Sequence, residues 1–212
     1  MKLAVFGPTG PTGEQVLRRA LAAGHEVTAV ARRPEAIAVT DQRLRVVAGD
    51  VLGTASALRD GVAGADAVLS ALGGRARRRP TTVYSAGTAA VLAAMRDTDV
   101  DRFVGITAAP VGPDDQNGAL DRYVAHPLLH RFFGGDYDDM RRMEDVLAAS
   151  DRAWTVLRPP RLTGSAFTGR YRTAVDAPLP RARTISRADL AAAMLAAAQD
   201  PALIGHAVTI AA

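Results

Sequence analysis

Apolar residues fall along this chain in two alternating rhythms. Short, nearly continuous apolar runs over residues 3–6, 27–31, 44–48, 67–71 and 103–107 read as strands, since a strand covered on both faces needs no polar alternation. Between them, residues 13–23, 34–38, 55–60 and 82–96 carry helical spacing, with Val16, Leu17, Ala20 and Leu21 on one face of the first. Strand and helix in alternation predict a parallel sheet with right-handed crossovers and helices on both sides. After residue 107 the rhythm loosens. Gly112-Pro113, Asn117-Gly118 and Gly134-Gly135 act as breakers across 110–136, although 120–133 keeps helical spacing. A helix over 137–149, a strand over 155–157 ended by Pro159-Pro160, a helix over 187–198 capped by Ser186 and a last strand over 207–210 complete the pattern. No repeat or linker interrupts it, so the expectation is a single α/β domain, doubly wound, with 110–136 covering a substrate.

Composition narrows the functional classes. A chain of 212 residues that is 48% hydrophobic suits one core. Its apolar runs are too short to span a bilayer, and Met1 leads almost at once into a strand-like run without a basic leader. A cytoplasmic protein, monomeric or homodimeric, with no membrane partner is expected. The absence of cysteine excludes disulfides, thiolate metal sites and cysteine nucleophiles. Lys2 is the sole lysine, which removes most lysine chemistry. The sequence pI of about 10.1 invites a nucleic-acid reading, but the net charge is only +4 and the one dense cluster is Arg75, Arg77, Arg78 and Arg79. No nucleic-acid module accompanies that cluster, so it reads as a solvated loop or as an attractor of an anionic substrate. His126 and His130 have zinc-like i, i+4 spacing, but Pro127 lies between them and no third ligand type is paired with them. No metal is expected. No G-x-S-x-G elbow is present, which leaves a serine hydrolase unsupported.

The chemistry is concentrated at the first turn. Residues 3–13 run strand, then G-P-T-G-P-T-G, then helix, placing Gly7, Gly10 and Gly13 at G-x-x-G-x-x-G spacing. Glycines let the backbone turn and approach a pyrophosphate, and the helix N-terminus offers free N–H groups and partial positive charge. Thr9 and Thr12 add hydroxyl donors. After the second strand, where NAD-preferring sites hold a carboxylate for the ribose 2′-hydroxyl, the chain has Arg32 and Arg33, with no acid before Glu35. Guanidinium groups match a 2′-phosphate, so NADP(H) is the expected cofactor. Asp50 and Val51, after the third strand, suit the position beside adenine, and Asp50 also suits the N-cap of a short helix. This is the pattern of a Rossmann-type fold.

At this point the chain resembles the atypical short-chain dehydrogenase/reductases, within the NAD(P)H-binding, NmrA-like group that includes the biliverdin-IXβ/flavin reductases. The resemblance runs over nearly the whole length. It rests on FGPTGPTG, Gly49 to Leu52, Ala71-Leu72-Gly73-Gly74, Pro80-Thr81-Thr82-Val83, Thr107, Glu144, Arg158-Pro159-Pro160 and Ile185-Ser186-Arg187-Ala188-Asp189-Leu190. It implies that Gly7, Thr9, Gly10, Pro11, Thr12 and Gly13 hold phosphates and that Arg32 and Arg33 hold the 2′-phosphate. It further implies Asp50 and Val51 near adenine, Ala71, Leu72 and Gly73 along the ribose, and Thr107, Pro159 and Pro160 along the nicotinamide.

The proton-handling groups depart from that pattern. A Tyr-x-x-x-Lys dyad cannot be built with one lysine at position 2. The nearest spacing is Tyr137-x-x-x-Arg141, on one helical face, whose alternative reading is a solvent-facing helix with Asp138 and Asp139 in its first turn. The biliverdin/flavin reductases carry serine where this chain has Ala108 and histidine where it has Glu144, which argues against biliverdin as substrate. The catalytic candidates are therefore Tyr137, Arg141 and Glu144, and the substrate-side candidates Ala108, Tyr123 and His126, with Phe132 and Phe133 forming either an apolar lid or core. Hydride transfer to a planar acceptor needs stacking more than a strong acid. The expected activity is NADPH-dependent reduction of a flavin, quinone or aromatic, polyketide-like carbonyl. The alternatives are a non-catalytic NADP(H)-binding redox sensor and a non-redox isomerase or cyclase.

Overall fold

The computed structural model describes residues 1–73, 81–111 and 126–212, with the side chains of 126–134 excepted. The arginine cluster at 75–79 and Tyr123 lie outside the described residues, as do the side chains of His126, His130, Phe132 and Phe133. In chain order the elements are β1 (Lys2–Phe6), α1 (Pro11–Ala22), β2 (Glu26–Ala31), β3 (Leu44–Ala48), α2 (Ala55–Val62), β4 (Ala67–Ser70), α3 (Ser85–Asp97) and β5 (Arg102–Ile106). These are followed by α4 (His126–Ala148), β6 (Ala153–Arg158), β7 (Arg161–Thr163), β8 (Arg172–Val175), β9 (Thr184–Ser186), α5 (Arg187–Gln199) and β10 (His206–Ala211).

Eight strands form one sheet in the order β3-β2-β1-β4-β5-β6-β10-β8. All its pairings are parallel except β10 with β8, so the expected doubly wound Rossmann-type sheet is present with an added antiparallel edge. The alternation within β1 explains its continuous apolarity. Leu3 and Val5 enter one core cluster with α1 and α5, while Ala4 and Phe6 enter the other with α2, α3 and α4. Each face is closed by its own helices, so no position on the strand is free to be polar.

Two expectations need correction. The helix expected over 137–149 begins at His126, and Gly134-Gly135 lies inside it rather than breaking it. Each interior glycine costs about 1 kcal/mol relative to alanine, and burial of Met140, Met143 and Leu147 farther along the same helix offsets that cost. Asp139 is consequently not a first-turn surface residue. It is fully buried, and its carboxylate accepts the Tyr84 N–H at 2.9 Å and the Ser85 hydroxyl at 2.5 Å, capping α3 from a neighbouring helix. The second correction is the stretch between Pro160 and Ser186, which shows no strand-like apolar pattern yet forms β7, β8 and β9. Their sequences, RLT, RTAV and TIS, are too short and too exposed to show a period.

Candidate active site at the carboxyl ends of the strands

β1 and β4 are neighbours whose chain connections leave in opposite directions, so a crevice opens between their carboxyl ends, where ligands of open α/β sheets bind. The glycine turn fills the β1 side of it. Gly7 has φ +74°, and a Cβ there would stand 2.4 Å from the Ala71 carbonyl oxygen at the end of β4. A Cβ on Gly13 would stand 2.1 Å from the Gly7 carbonyl oxygen. Both glycines are required by the protein's own packing. Gly10 differs: its Cβ would meet only the Gly7 oxygen, at an ordinary 3.5 Å. Nothing within the chain demands glycine there, and a bare backbone at that point is what a closely approaching pyrophosphate requires.

The helix that follows is left open at its start. Gly10 is the N-cap in an extended conformation, with no side-chain cap, and Pro11 supplies no N–H. The Gly10 carbonyl accepts the Glu14 amide at 2.9 Å, which leaves the amides of Thr12 and Gly13 without an upstream helical acceptor. Free amides at the positive end of α1 form an anion cradle, with Thr9 exposed and Thr12 half-buried beside it. The residues present therefore fit a dinucleotide pyrophosphate.

The residues expected beside adenosine lie at the ends of β2 and β3. Arg32 and Arg33 are exposed and form no ion pair among the described residues. Asp50 closes a turn, its carboxylate accepting the Leu52 amide at 3.1 Å and its carbonyl the Gly53 amide at 2.9 Å. It is not a helix cap, since α2 starts after Thr54. Val51 is buried and, with Leu72, packs against Gly87 of α3 to form an apolar wall behind the crevice. Gly73 is exposed at the end of this wall.

The far side is organised by α4. Tyr137, Met140, Arg141 and Glu144 share one side of that helix by their spacing. Thr107, buried just past β5, donates its hydroxyl to Glu144 Oε1 at 2.7 Å, and Arg158 at the end of β6 grips both oxygens of the same carboxylate. Both side chains of this ion pair are only 15% exposed. Farther along, Arg141 donates to the Pro110 carbonyl and to Asp138, each at 3.2 Å. The loop after β5 is also tied to the loop after β6, where the Pro159 carbonyl accepts the Ala109 amide at 2.9 Å. Thr107, Ala108, Pro159 and Pro160 are thus brought together, with Ala108 half-buried against the core. Glu144 faces three donor groups from two side chains, an arrangement suited to holding α4 over the strand ends. Burial, and then the charge of Asp136, push the Tyr137 phenol above its ordinary value. That direction is opposite to the one a lysine-activated tyrosine takes.

The sequence marks no functional role for Arg158 or Asp189, and places Asp139 only on a solvent-facing first turn. The S-x-x-D at Ser186–Asp189 is a legible capping signal, and Asp189 does receive the Ser186 hydroxyl at 2.7 Å. It also accepts the Thr168 and Gly169 amides at 2.9 and 2.8 Å, which fastens the loop before β8 to α5. Nothing local announces the Asp139 cap or the Arg158–Glu144 pair. Their partners lie 54 or 55 and 14 positions away in the chain.

Comparison with known proteins identifies the family and the fold. Over 188 residues the chain is 30% identical to a 4-hydroxy-2-methyl-3-oxo-4-farnesyl-3,4-dihydroquinoline-1-oxide ketoreductase of Stigmatella aurantiaca. That match takes in 84% of this chain but 55% of the ketoreductase, so the chain spans about half the length of this curated relative. The fold is shared with the oxidoreductase ylbE of Lactococcus lactis (TM-score 0.82, 19% identity, 100% of this chain and 90% of that one). It is shared equally with a wide-type short-chain dehydrogenase/reductase of Veillonella parvula solved in complex with NADP (TM-score 0.81, 15% identity, 100% and 94%). No helix among the described residues is long and apolar enough to cross a membrane. The NAD(P)H-binding family model matches residues 7–201, from the first glycine of the turn to the end of α5 and beyond, and the chain belongs to that family of Rossmann-fold, oxidoreductase-like proteins.

Proposed function

We propose that this protein is an NADPH-dependent reductase of a planar acceptor: a flavin, a quinone or an aromatic ring-conjugated carbonyl. The observation that carries the reading is the use made of the groups past β5 and β6. Glu144 is occupied by Thr107 and Arg158 and the Tyr137 phenol is pushed up by burial, so among the described residues the site holds no group poised as a strong acid. Such a site suits acceptors whose reduced form is stabilised by conjugation, with solvent supplying protons. The ketoreductase relative is named for a 3-oxo-3,4-dihydroquinoline-1-oxide, a ketone in a ring fused to an aromatic one, which supports a carbonyl among these acceptors.

NADPH supplies a hydride when bound, and the residues present divide the task of holding it. The glycine turn from Gly7 to Gly13 takes the pyrophosphate, Arg32 and Arg33 the 2′-phosphate, and Val51 and Asp50 the adenine. Ala71, Leu72 and Gly73 follow the ribose, and Thr107, Pro159 and Pro160 line the reactive ring. Ala108 and Tyr137 face the acceptor, with Arg141 holding Tyr137's helix to the β5 loop; Tyr123 and the His126 side chain, outside the described residues, are further substrate-side candidates. Steady oxidation of NADPH with a panel of flavins, quinones and aromatic ketones tests the assignment. Turnover with at least one of them, and a lower dissociation constant for NADPH than for NADH, are the expected results. Tight binding with no turnover on any acceptor would replace the enzyme by a redox sensor.

A further inference from the structure

Charge is distributed unevenly along this chain. Residues 158–187 hold seven arginines against one acidic residue, an excess of six, while the entire chain has a net charge of +4. Everything outside this stretch is therefore net negative. Arg158 is neutralised by Glu144. The other six, Arg161, Arg170, Arg172, Arg181, Arg183 and Arg187, form no ion pair among the described residues. All are exposed except Arg187, which is half-buried.

The topology gathers these six at one end of the sheet. β10 runs parallel to β6, and β8 runs antiparallel to β10 with Arg172 opposite Ala211 and Val175 opposite Val208. Arg170 and Arg172 therefore stand at the carboxyl end of the sheet. The chain descends through β8 to Asp176, whose amide bonds to Ala207 and whose carboxylate meets His206 at the amino end of β10. It then climbs back. The Pro180 carbonyl is reached by the Arg172 guanidinium at 3.1 Å, and the Thr184 carbonyl by the Ala212 amide at 3.0 Å. Arg181 and Arg183 thereby return to the carboxyl end. β7 pairs with β9, Arg161 opposite Thr184, and Arg187 opens α5 directly after β9. The one acidic residue of the stretch is left at the opposite end of the strand.

We propose that this arginine rim receives an anionic group of the acceptor, a phosphate, sulfonate or carboxylate carried on the planar molecule. The rim follows Pro159-Pro160 directly and borders the Thr107, Glu144 and Arg158 network. Its strand β8 stands six strand spacings from β2 in the sheet, about 29 Å at the usual interstrand spacing, so it is distinct from the Arg32 and Arg33 position. Exposed cations of one sign at the mouth of a crevice raise the local concentration of an anionic ligand, and the effect is screened by salt. The proposal rests on the reductase reading, and it names the acceptor's charge.

FMN and riboflavin test it, because they share one ring system and differ by a phosphate. Flavin fluorescence titrations are run on the protein saturated with NADP+, in parallel with NADPH oxidation. At low ionic strength FMN is expected to bind about tenfold more tightly than riboflavin, with the gap shrinking toward nothing at about 0.5 M salt. In the triple variant Arg161→Gln, Arg183→Gln, Arg187→Gln the gap should close while NADPH affinity, a check on folding, is retained. Equal affinity for the two flavins, no measurable binding of either, or a preference for FMN that survives the triple variant overturns the proposal. Displacement of FMN by heparin far below the concentration of a small dianion also overturns it, in favour of a polyanion surface. Reduction of riboflavin with no gain from FMN would sink the rim and leave the reductase standing. Preferential FMN binding with no reduction would do the reverse.

Discussion

The glycine turn at the start of the chain and the arginine rim near its end are both proposed to meet negative charge, by different means. In the turn, the charge comes from the backbone: open amides at Thr12 and Gly13, set at the end of α1 by a proline and an uncapped glycine. Every group in it lies within seven residues of Gly7. In the rim, the charge comes from side chains that are up to 26 residues apart in sequence and are gathered by an antiparallel strand and a two-stranded sheet. A backbone cradle tolerates little change, because a Cβ at Gly7 or Gly13 would strike a backbone carbonyl and one at Gly10 would stand where the phosphate must approach. A field from several arginines degrades gradually as members are removed. The first kind of site selects one geometry, whereas the second selects a sign of charge.

The largest effect expected from this contrast is at Gly13. A methyl group 2.1 Å from the Gly7 carbonyl cannot be accommodated without moving the turn. Gly13→Ala should lose at least 100-fold in NADPH affinity and about 2–3 kcal/mol of stability, read by cofactor titration and thermal unfolding. Gly10→Ala sharpens the point. It should keep the wild-type melting temperature, since its Cβ meets only an ordinary contact, and still weaken NADPH binding by roughly tenfold, ~1.4 kcal/mol. Equal damage to stability at both positions would show that the turn is only a packing device.

Next in size is the ion pair between the two regions. Glu144→Gln leaves Arg158 mostly buried without its counter-charge, at a cost of about 3 kcal/mol in denaturant unfolding. The double variant Glu144→Gln, Arg158→Met should recover part of the loss. Without that recovery, Glu144 is doing something other than pairing. A smaller and more selective effect is expected at the 2′-phosphate position. Arg32→Gln with Arg33→Gln should raise the dissociation constant for NADPH by about 10- to 100-fold, from lost charge-assisted hydrogen bonds of about 1.5–3 kcal/mol, while that for NADH stays unchanged.

The smallest is a pH effect at Asp189, which anchors the loop leading into the rim. Burial alone would raise its pKa, but hydrogen bonds from Ser186, Thr168 and Gly169 outweigh burial and leave it below the ordinary value. A carboxylate with a lowered folded pKa contributes stability that is fully present above its unfolded value of about 3.9 and is lost as pH falls through the folded value. Acid unfolding of the native protein should therefore carry a component below about pH 4 that Asp189→Asn lacks. Identical acid limbs for the two proteins would show that the loop is not held by this carboxylate.

Much of the first region is legible in the order of residues alone. Seven of the eight main-sheet strands, all but β8, are marked by apolar runs, and the turn is marked by glycine, proline and threonine at fixed spacing. The second region is not legible in that way. Strands of three or four residues carry no period, and nothing in residue order marks the arginines as neighbours until β8 reverses direction. Gly134-Gly135 misleads for a related reason: a breaker's local cost is visible in sequence, whereas the burial of Met140, Met143 and Leu147 that outweighs it is not.

Sequence alone therefore determined the parallel sheet, the order of its early elements and the glycine turn after β1, because each depends on contacts between near neighbours or on a hydrophobic period that survives in one dimension. The length of α4, the Asp139 cap on α3, the Glu144 anchor on Thr107 and Arg158, and the gathering of six arginines at one end of the sheet were decided only by tertiary structure. Each of these joins groups that the chain keeps apart, and electrostatic and packing energies depend on distance in space.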